Sequence, residues 1–125
     1  MTKKEITGKR SLVFSDWVRR KLPDSSTGFT ATDVDFFLQN YKKKKLMMLE
    51  VKIKNGEIEP WQKILFENIE YFLRKGINDC PEKLRWKFYG FHTITFEKES
   101  FDDGKVYLDG KLSNEADIIK LLSMK

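Results

Sequence analysis

The sequence predicts an α/β domain, a mixed β-sheet with helices on its faces. Three observations carry this. Leu46 to Lys54 alternates with the period of a strand. Trp61, Ile64, Leu65, Ile69, Phe72 and Leu73 recur at the spacing of a helix. The segments then follow the order helix, strand, strand, helix, strand, small hairpin, helix, which interleaves the two kinds.

Each element has its own signal. Ser15 is a candidate cap for a helix from Asp16 to Leu22, and Pro23 ends it. Asp24 to Gly28 is a loop by composition. A strand is expected from Thr30 to Tyr41, a turn over Lys42 to Lys45, and a second strand over Leu46 to Lys54, closed by Asn55-Gly56. Pro60 suits the first turn of the long helix, which is expected to end near Gly76. Arg85 to Glu97 alternates and reads as a third strand. Val106 to Leu112 forms a hairpin around Asp109-Gly110, and Ser113 or Asn114 caps a last helix carrying Ile118, Ile119, Leu121 and Leu122. Trp61 and the other aromatics of the long helix are expected in the core.

Composition bounds the partners. The 125 residues fit a single domain over 1–125, with residues 1–10 read as a mobile basic arm. Apolar residues at 40% suffice for a packed core. Lysine and arginine number 24 against 19 acids, a balance that suits a polyanion such as DNA. A single cysteine, Cys80, allows no intrachain disulfide, and fits a reducing, cytoplasmic setting. Met1 to Arg10 has no apolar run and is no secretory signal. Leu46 to Leu49 is far short of the roughly 20 residues that cross a bilayer, so no membrane partner is expected.

The chemistry gathers on the second strand. Met47, Leu49, Val51 and Ile53 form one apolar face, expected to pack on a helix. The other face carries Leu46, Met48, Glu50, Lys52 and Lys54. Glu50 and Lys52 therefore point the same way, about 6.6–7 Å apart at Cα. Two charges in an otherwise apolar strand cost free energy unless paired, hydrated or metal-bound. On the preceding strand Asp33 and Asp35 share a face, and pairing of the two strands can bring an aspartate beside Glu50. Carboxylate oxygens suit a hard divalent cation, which would polarise a phosphodiester and acidify a water. Lys52 would orient that water or stabilise developing negative charge.

Thr32 to Gln62, TDVDFFLQNYKKKKLMMLEVKIKNGEIEPWQ, resembles the PD-(D/E)XK nuclease superfamily, which includes restriction enzymes, Holliday-junction resolvases and the VRR-NUC group. Glu50-Val51-Lys52 stands for (D/E)XK, and Asp33 or Asp35 for the upstream aspartate. Asp35 is favoured because Phe36 to Leu38 follows it directly. Thr32 and Val34 stand where the family has proline before its aspartate. The resemblance implies a restriction-endonuclease-like, three-layer core with a central mixed sheet. It implies Asp35, Glu50, Lys52 and Gln62 as catalytic residues, and Asp33, Asp35, Glu50 and Val51 as the set around Mg²⁺ or Mn²⁺. Asp16 is the local candidate for the extra acidic ligand of some members; its alternative role is to cap the helix. It also implies a metal-dependent DNA endonuclease acting on branched or structured DNA, a homodimer, and a phage or mobile-element setting.

Other residues have weaker readings. Arg19, Arg20, Lys42, Lys43 and Lys44 are candidates for DNA backbone contact; Arg19, Arg20 and Lys21 also suit a helix C-terminus, and the lysines an ordinary solvated turn. His92, on a strand face with Phe88, Ile94 and Phe96, is expected to be packed rather than catalytic. The rivals to a nuclease are a nucleic-acid-binding module of the same fold without catalysis, and a structural protein whose charges are ordinary surface pairs.

Overall fold

The computed structural model describes residues 12–28, 30–31, 34–53 and 56–125. The expected basic arm over 1–10, Asp33, Lys54 and Asn55 lie outside the described residues. The chain divides into two compact units, Met1–Asp33 and Val34–Lys125.

In the first unit, helix α1 spans Leu12–Lys21, and one 3-10 turn follows at Ser25–Thr27. The expected start at Asp16 moves upstream, which puts Ser15 inside the helix instead of at its cap. The apolar spacing of Val13, Phe14 and Trp17 extends the helical pattern past that cap signal. Asp16 pairs with Arg20 at 3.0 Å one turn on. Arg19, Arg20 and Lys21 close the helix, at the end where cations favour its dipole.

The second unit holds a five-stranded mixed sheet in the order β1-β2-β3-β4-β5. The strands are β1 (Phe36–Asn40), β2 (Lys45–Ile53), β3 (Lys87–Phe96), β4 (Val106–Leu108) and β5 (Lys111–Ser113). β2 and β3 run parallel, and helix α2 (Pro60–Asp79) supplies the crossover that parallel neighbours require. The other neighbours are antiparallel. Helix α3 (Glu115–Leu122) closes the chain, its first turn capped by Asn114, which accepts the Asp117 N–H at 2.8 Å.

Two apolar clusters form the core. Leu49, Ile94 and Val106 pack with Ile118 and Leu122 of α3, joined by Phe36, Leu38, Val51 and Phe96. Met48 and Phe88 pack with Phe66, Ile69, Leu73 and Ile77 of α2. Met48 and Leu49 are consecutive, so the clusters lie on opposite faces of the sheet. Of the expected apolar face of β2, Leu49 and Val51 pack with α3, whereas Ile53 is 46% exposed. The other face, which carries the two charges, also meets a helix: Leu46 and Met48 pack under α2, and by strand alternation Glu50 and Lys52 follow on that side.

Several element boundaries differ from expectation. β1 is much shorter than Thr30–Tyr41, because the Asp35 carboxylate instead of a backbone carbonyl takes the Val51 N–H at 2.8 Å. The lysine turn covers Tyr41–Lys44, and Lys45 already opens β2. α2 runs through Gly76 to Asp79, since Ile77 still packs in the core and outweighs glycine's low propensity. β3 starts at Lys87 instead of Arg85, whose guanidinium binds the Asn78 and Cys80 carbonyls at the end of α2. Asp109 and Gly110, at φ 51° and 83°, form the hairpin turn as read from sequence.

Two expectations about side chains are corrected. Trp61, Tyr71 and Phe72 are 41%, 60% and 67% exposed, not core. α2 is apolar on two sides and the sheet covers one. His92 shares no face with Phe88, because a bulge intervenes: the β2–β3 register shifts between Leu46 and Met48, and Gly90 adopts φ 96°. Phe88 and Phe91 both join the α2 cluster, whereas Ile94 and Phe96 join the other.

Candidate active site

The β1–β2 ladder pairs Phe36 with Leu49, so one step further sets Asp35 opposite Glu50. Directly opposed residues of an antiparallel pair share a face. Asp35 is held there by the Val51 N–H at 2.8 Å. Val51 thereby joins the site through its backbone, while its side chain packs in the α3 cluster.

Glu50 is 4% exposed, a charged residue among the buried ones. Its Oε1 lies 3.3 Å from Lys52 Nζ, two residues on. Its Oε2 is buried and has no hydrogen-bond partner among the described residues. Burial pushes the Glu50 pKa above its ordinary value, and the neighbouring Asp35 carboxylate pushes it further, against a partial offset from Lys52. Two carboxylates facing each other are both acceptors. Only a shared proton or a cation satisfies them together.

The next strand completes the floor. Glu50 pairs with Thr93 and Lys52 with Thr95 on β3. These threonines line a cleft of about 430 Å³ with Phe66, Glu70, Phe91 and Asp109. Glu57 and Glu67 also line it, against one ammonium from Lys63. Asp35, Glu50 and Lys52 are not among the residues that line this cleft; Thr93 and Thr95 connect the two through their pairing with Glu50 and Lys52.

The cleft wall is built around the bulge. The Glu70 carboxylate accepts the Phe91 N–H at 3.0 Å. A Cβ at Gly90 would stand 3.2 Å from that same carboxylate, so the strand requires glycine for space as well as for its φ. His92 Nδ1 donates to Asp109 at 2.7 Å and its Nε2 to the Tyr89 carbonyl at 2.8 Å. Both partners are acceptors, so the protonated ring, with both nitrogens as donors, is the form that satisfies them together. The Asp109 hydrogen bond raises the His92 pKa, and burial opposes it only in part. Both ring nitrogens of His92 are engaged in these two hydrogen bonds.

The structure brings together Asp35, Glu50, Lys52 and the Val51 backbone. Gln62 lies on the first turn of α2, where its Oε1 accepts the Glu59 N–H at 3.3 Å as a helix cap. Arg19 and Arg20 belong to α1 in the first unit. Lys42 and Lys43 are exposed, and Lys44 donates to the Lys83 carbonyl at 2.8 Å. Asp16 is engaged with Arg20. Among the described residues no third histidine, cysteine or carboxylate joins Asp35 and Glu50 as a ligand cluster. Thr93 and Thr95 escaped the sequence reading, although the alternation of β3 carried the signal. Glu70 had no sequence signal, since it reaches the site from the middle of a helix.

Among the described residues no helix is long and apolar enough to cross a membrane. No family model matches the chain, and no curated protein or solved structure shows significant similarity to it.

Proposed function

We propose that this chain is a metal-dependent nuclease that hydrolyses phosphodiester bonds in DNA, with Asp35 and Glu50 as cation ligands and Lys52 as the catalytic amine. One observation carries the reading: a buried glutamate, one oxygen of which has no hydrogen-bond partner among the described residues, faces a second carboxylate and has an ammonium on its other oxygen. Such a group is costly in a metal-free protein, and a divalent cation offsets the cost. The donor set fits Mg²⁺ or Mn²⁺, which accept carboxylate oxygens and keep several waters. When bound there, the cation supplies a Lewis acid for a phosphoryl oxygen and lowers the pKa of a water.

The chain's own residues then have distinct tasks. Glu50 and Asp35 fix the cation, Asp35 being oriented by the Val51 N–H. Lys52, on the same face, neutralises charge that develops on the phosphate and orients the attacking water. Its exposure exceeds that of Glu50, 22% against 5% for the side chains, so it meets solvent and substrate while Glu50 stays beneath. The net positive chain supports approach of a polyanion, with Lys42 and Lys43 as exposed backbone contacts. An intracellular setting, Mg²⁺-replete and DNA-containing, goes with this reading.

A second reading is a nucleic-acid-binding module of this architecture without catalysis. It is favoured by the finding that only two carboxylates meet among the described residues. Incubation of supercoiled plasmid and a four-way junction with Mg²⁺, Mn²⁺ or EDTA separates the two. Cleavage that requires the cation and disappears in Lys52→Ala supports the nuclease. Binding without cleavage supports the module, and neither binding nor cleavage removes both.

A further inference from the structure

α2 is apolar on two sides. Phe66, Ile69, Leu73 and Ile77 face the sheet. Trp61, Ile64, Leu65, Tyr71 and Phe72 are between 36% and 67% exposed, and Asn68 and Lys75 among them are exposed too. At helical periodicity these seven positions fall in one stripe opposite Phe66. Single exposed apolar residues are ordinary, but a contiguous patch this size marks an interaction surface.

The stripe is symmetric about Asn68. Trp61, Ile64 and Leu65 precede it by seven, four and three residues; Tyr71, Phe72 and Lys75 follow it by three, four and seven. A two-fold interface requires a patch that matches itself when reversed. We propose that this stripe docks a second copy of the chain, α2 against α2 in antiparallel orientation, with the two-fold axis at Asn68. That register sets Ile64 beside Phe72 and Leu65 beside Tyr71. It places the Lys75 ammonium of one copy at the Trp61 ring of the other, a cation–π pair made twice. This complementarity selects a copy of the same chain as occupant, because each end supplies what the opposite end lacks. The two Asn68 amides meet on the axis and hydrogen-bond, which fixes the register as a lone polar residue does in a coiled coil. Aromatic side chains carry roughly 150–250 Å² each. The two stripes therefore bury on the order of 1,000 Å², at the lower limit for a specific interface, so the dimer is concentration-dependent.

The inference is independent of the nuclease reading and is tested without DNA. Sedimentation of the full chain over a micromolar range is expected to show a monomer–dimer equilibrium. Lys75→Ala weakens it about fivefold, the size of two exposed cation–π contacts. Phe72→Glu, at an exposed site where circular dichroism reports an unchanged fold, leaves a monomer. In a Cys80→Ser background, Asn68→Cys is expected to form a disulfide-linked dimer under mild oxidation, while Lys111→Cys on β5 does not. A chain that is monomeric throughout, as when another segment or another protein covers the stripe, overturns the proposal. So does a dimer that survives Phe72→Glu, or crosslinking at Lys111→Cys equal to that at Asn68→Cys.

Discussion

Lys52 Nζ stands 3.3 Å from Glu50 Oε1 and leaves Oε2 of that buried carboxylate without a partner among the described residues. One oxygen of Glu50 is thus engaged in an ion pair and the other is not. Lys52→Ala is expected to lower DNA cleavage by about 10²–10³-fold, the usual cost of removing one charge-stabilising donor. The fold survives, because Glu50 can take up a proton instead of remaining a bare buried charge, and the melting temperature falls by only a few degrees. Cleavage kinetics beside a thermal melt check both halves.

Glu50→Gln separates stability from function. The raised pKa of Glu50 means that folding favours its protonated form. Its contribution to stability is thus fully present below its ordinary value of 4.5 and is lost as pH rises through the higher folded value. The amide mimics the protonated acid, so at neutral pH the variant is expected to be as stable as the parent or more so without metal. A denaturant titration in EDTA measures this; a large destabilisation would contradict it.

Asp35→Asn keeps an oxygen for the Val51 N–H and removes a charge that adds to the effect of burial in raising the Glu50 pKa. The Glu50 pKa is expected to move down toward its ordinary value, readable by carboxyl NMR titration, while Mn²⁺ binding is lost. Asp33→Asn, measured beside it, decides which aspartate matters: under this account it leaves the Glu50 titration unchanged.

The His92–Asp109 pair ties the β4–β5 turn to the bulge of β3. The raised His92 pKa contributes stability that is complete below 6.5 and lost as pH rises through the folded value. Asp109 is lowered on balance: burial pushes it up, but His92 and the Thr93 N–H outweigh this. Its contribution is complete above 3.8 and lost as pH falls through the folded value. The pair therefore stabilises most between these limits. His92→Ala is expected to cost about 1 kcal/mol at pH 6, a charged hydrogen bond discounted for solvent screening because Asp109 is 46% exposed. The cost should shrink at pH 9, as denaturant midpoints at the two pH values would reveal.

Local patterns were legible where one face of an element decides its conformation. The alternation of Leu46 to Lys54 gave β2 and the shared side of Glu50 and Lys52, and Asp109-Gly110 gave the hairpin. What escaped depended on long-range geometry. Nothing local announces that Asp35 would cap β2 through Val51 and cut β1 short, or that Gly90 would bulge and turn Phe88 away from His92. The aromatic spacing of α2 reads as core, yet periodicity cannot tell which of two apolar sides the sheet takes. Gln62 carried a motif position, but its amide closes a helix cap.

Titration of the metal-free chain with Mn²⁺, followed by calorimetry at pH 7 and pH 8, tests the cation site most directly. The account predicts saturable binding at both pH values that disappears in both Glu50→Gln and Asp35→Asn. Binding that is absent from the parent, or that persists unchanged in both variants, would contradict it.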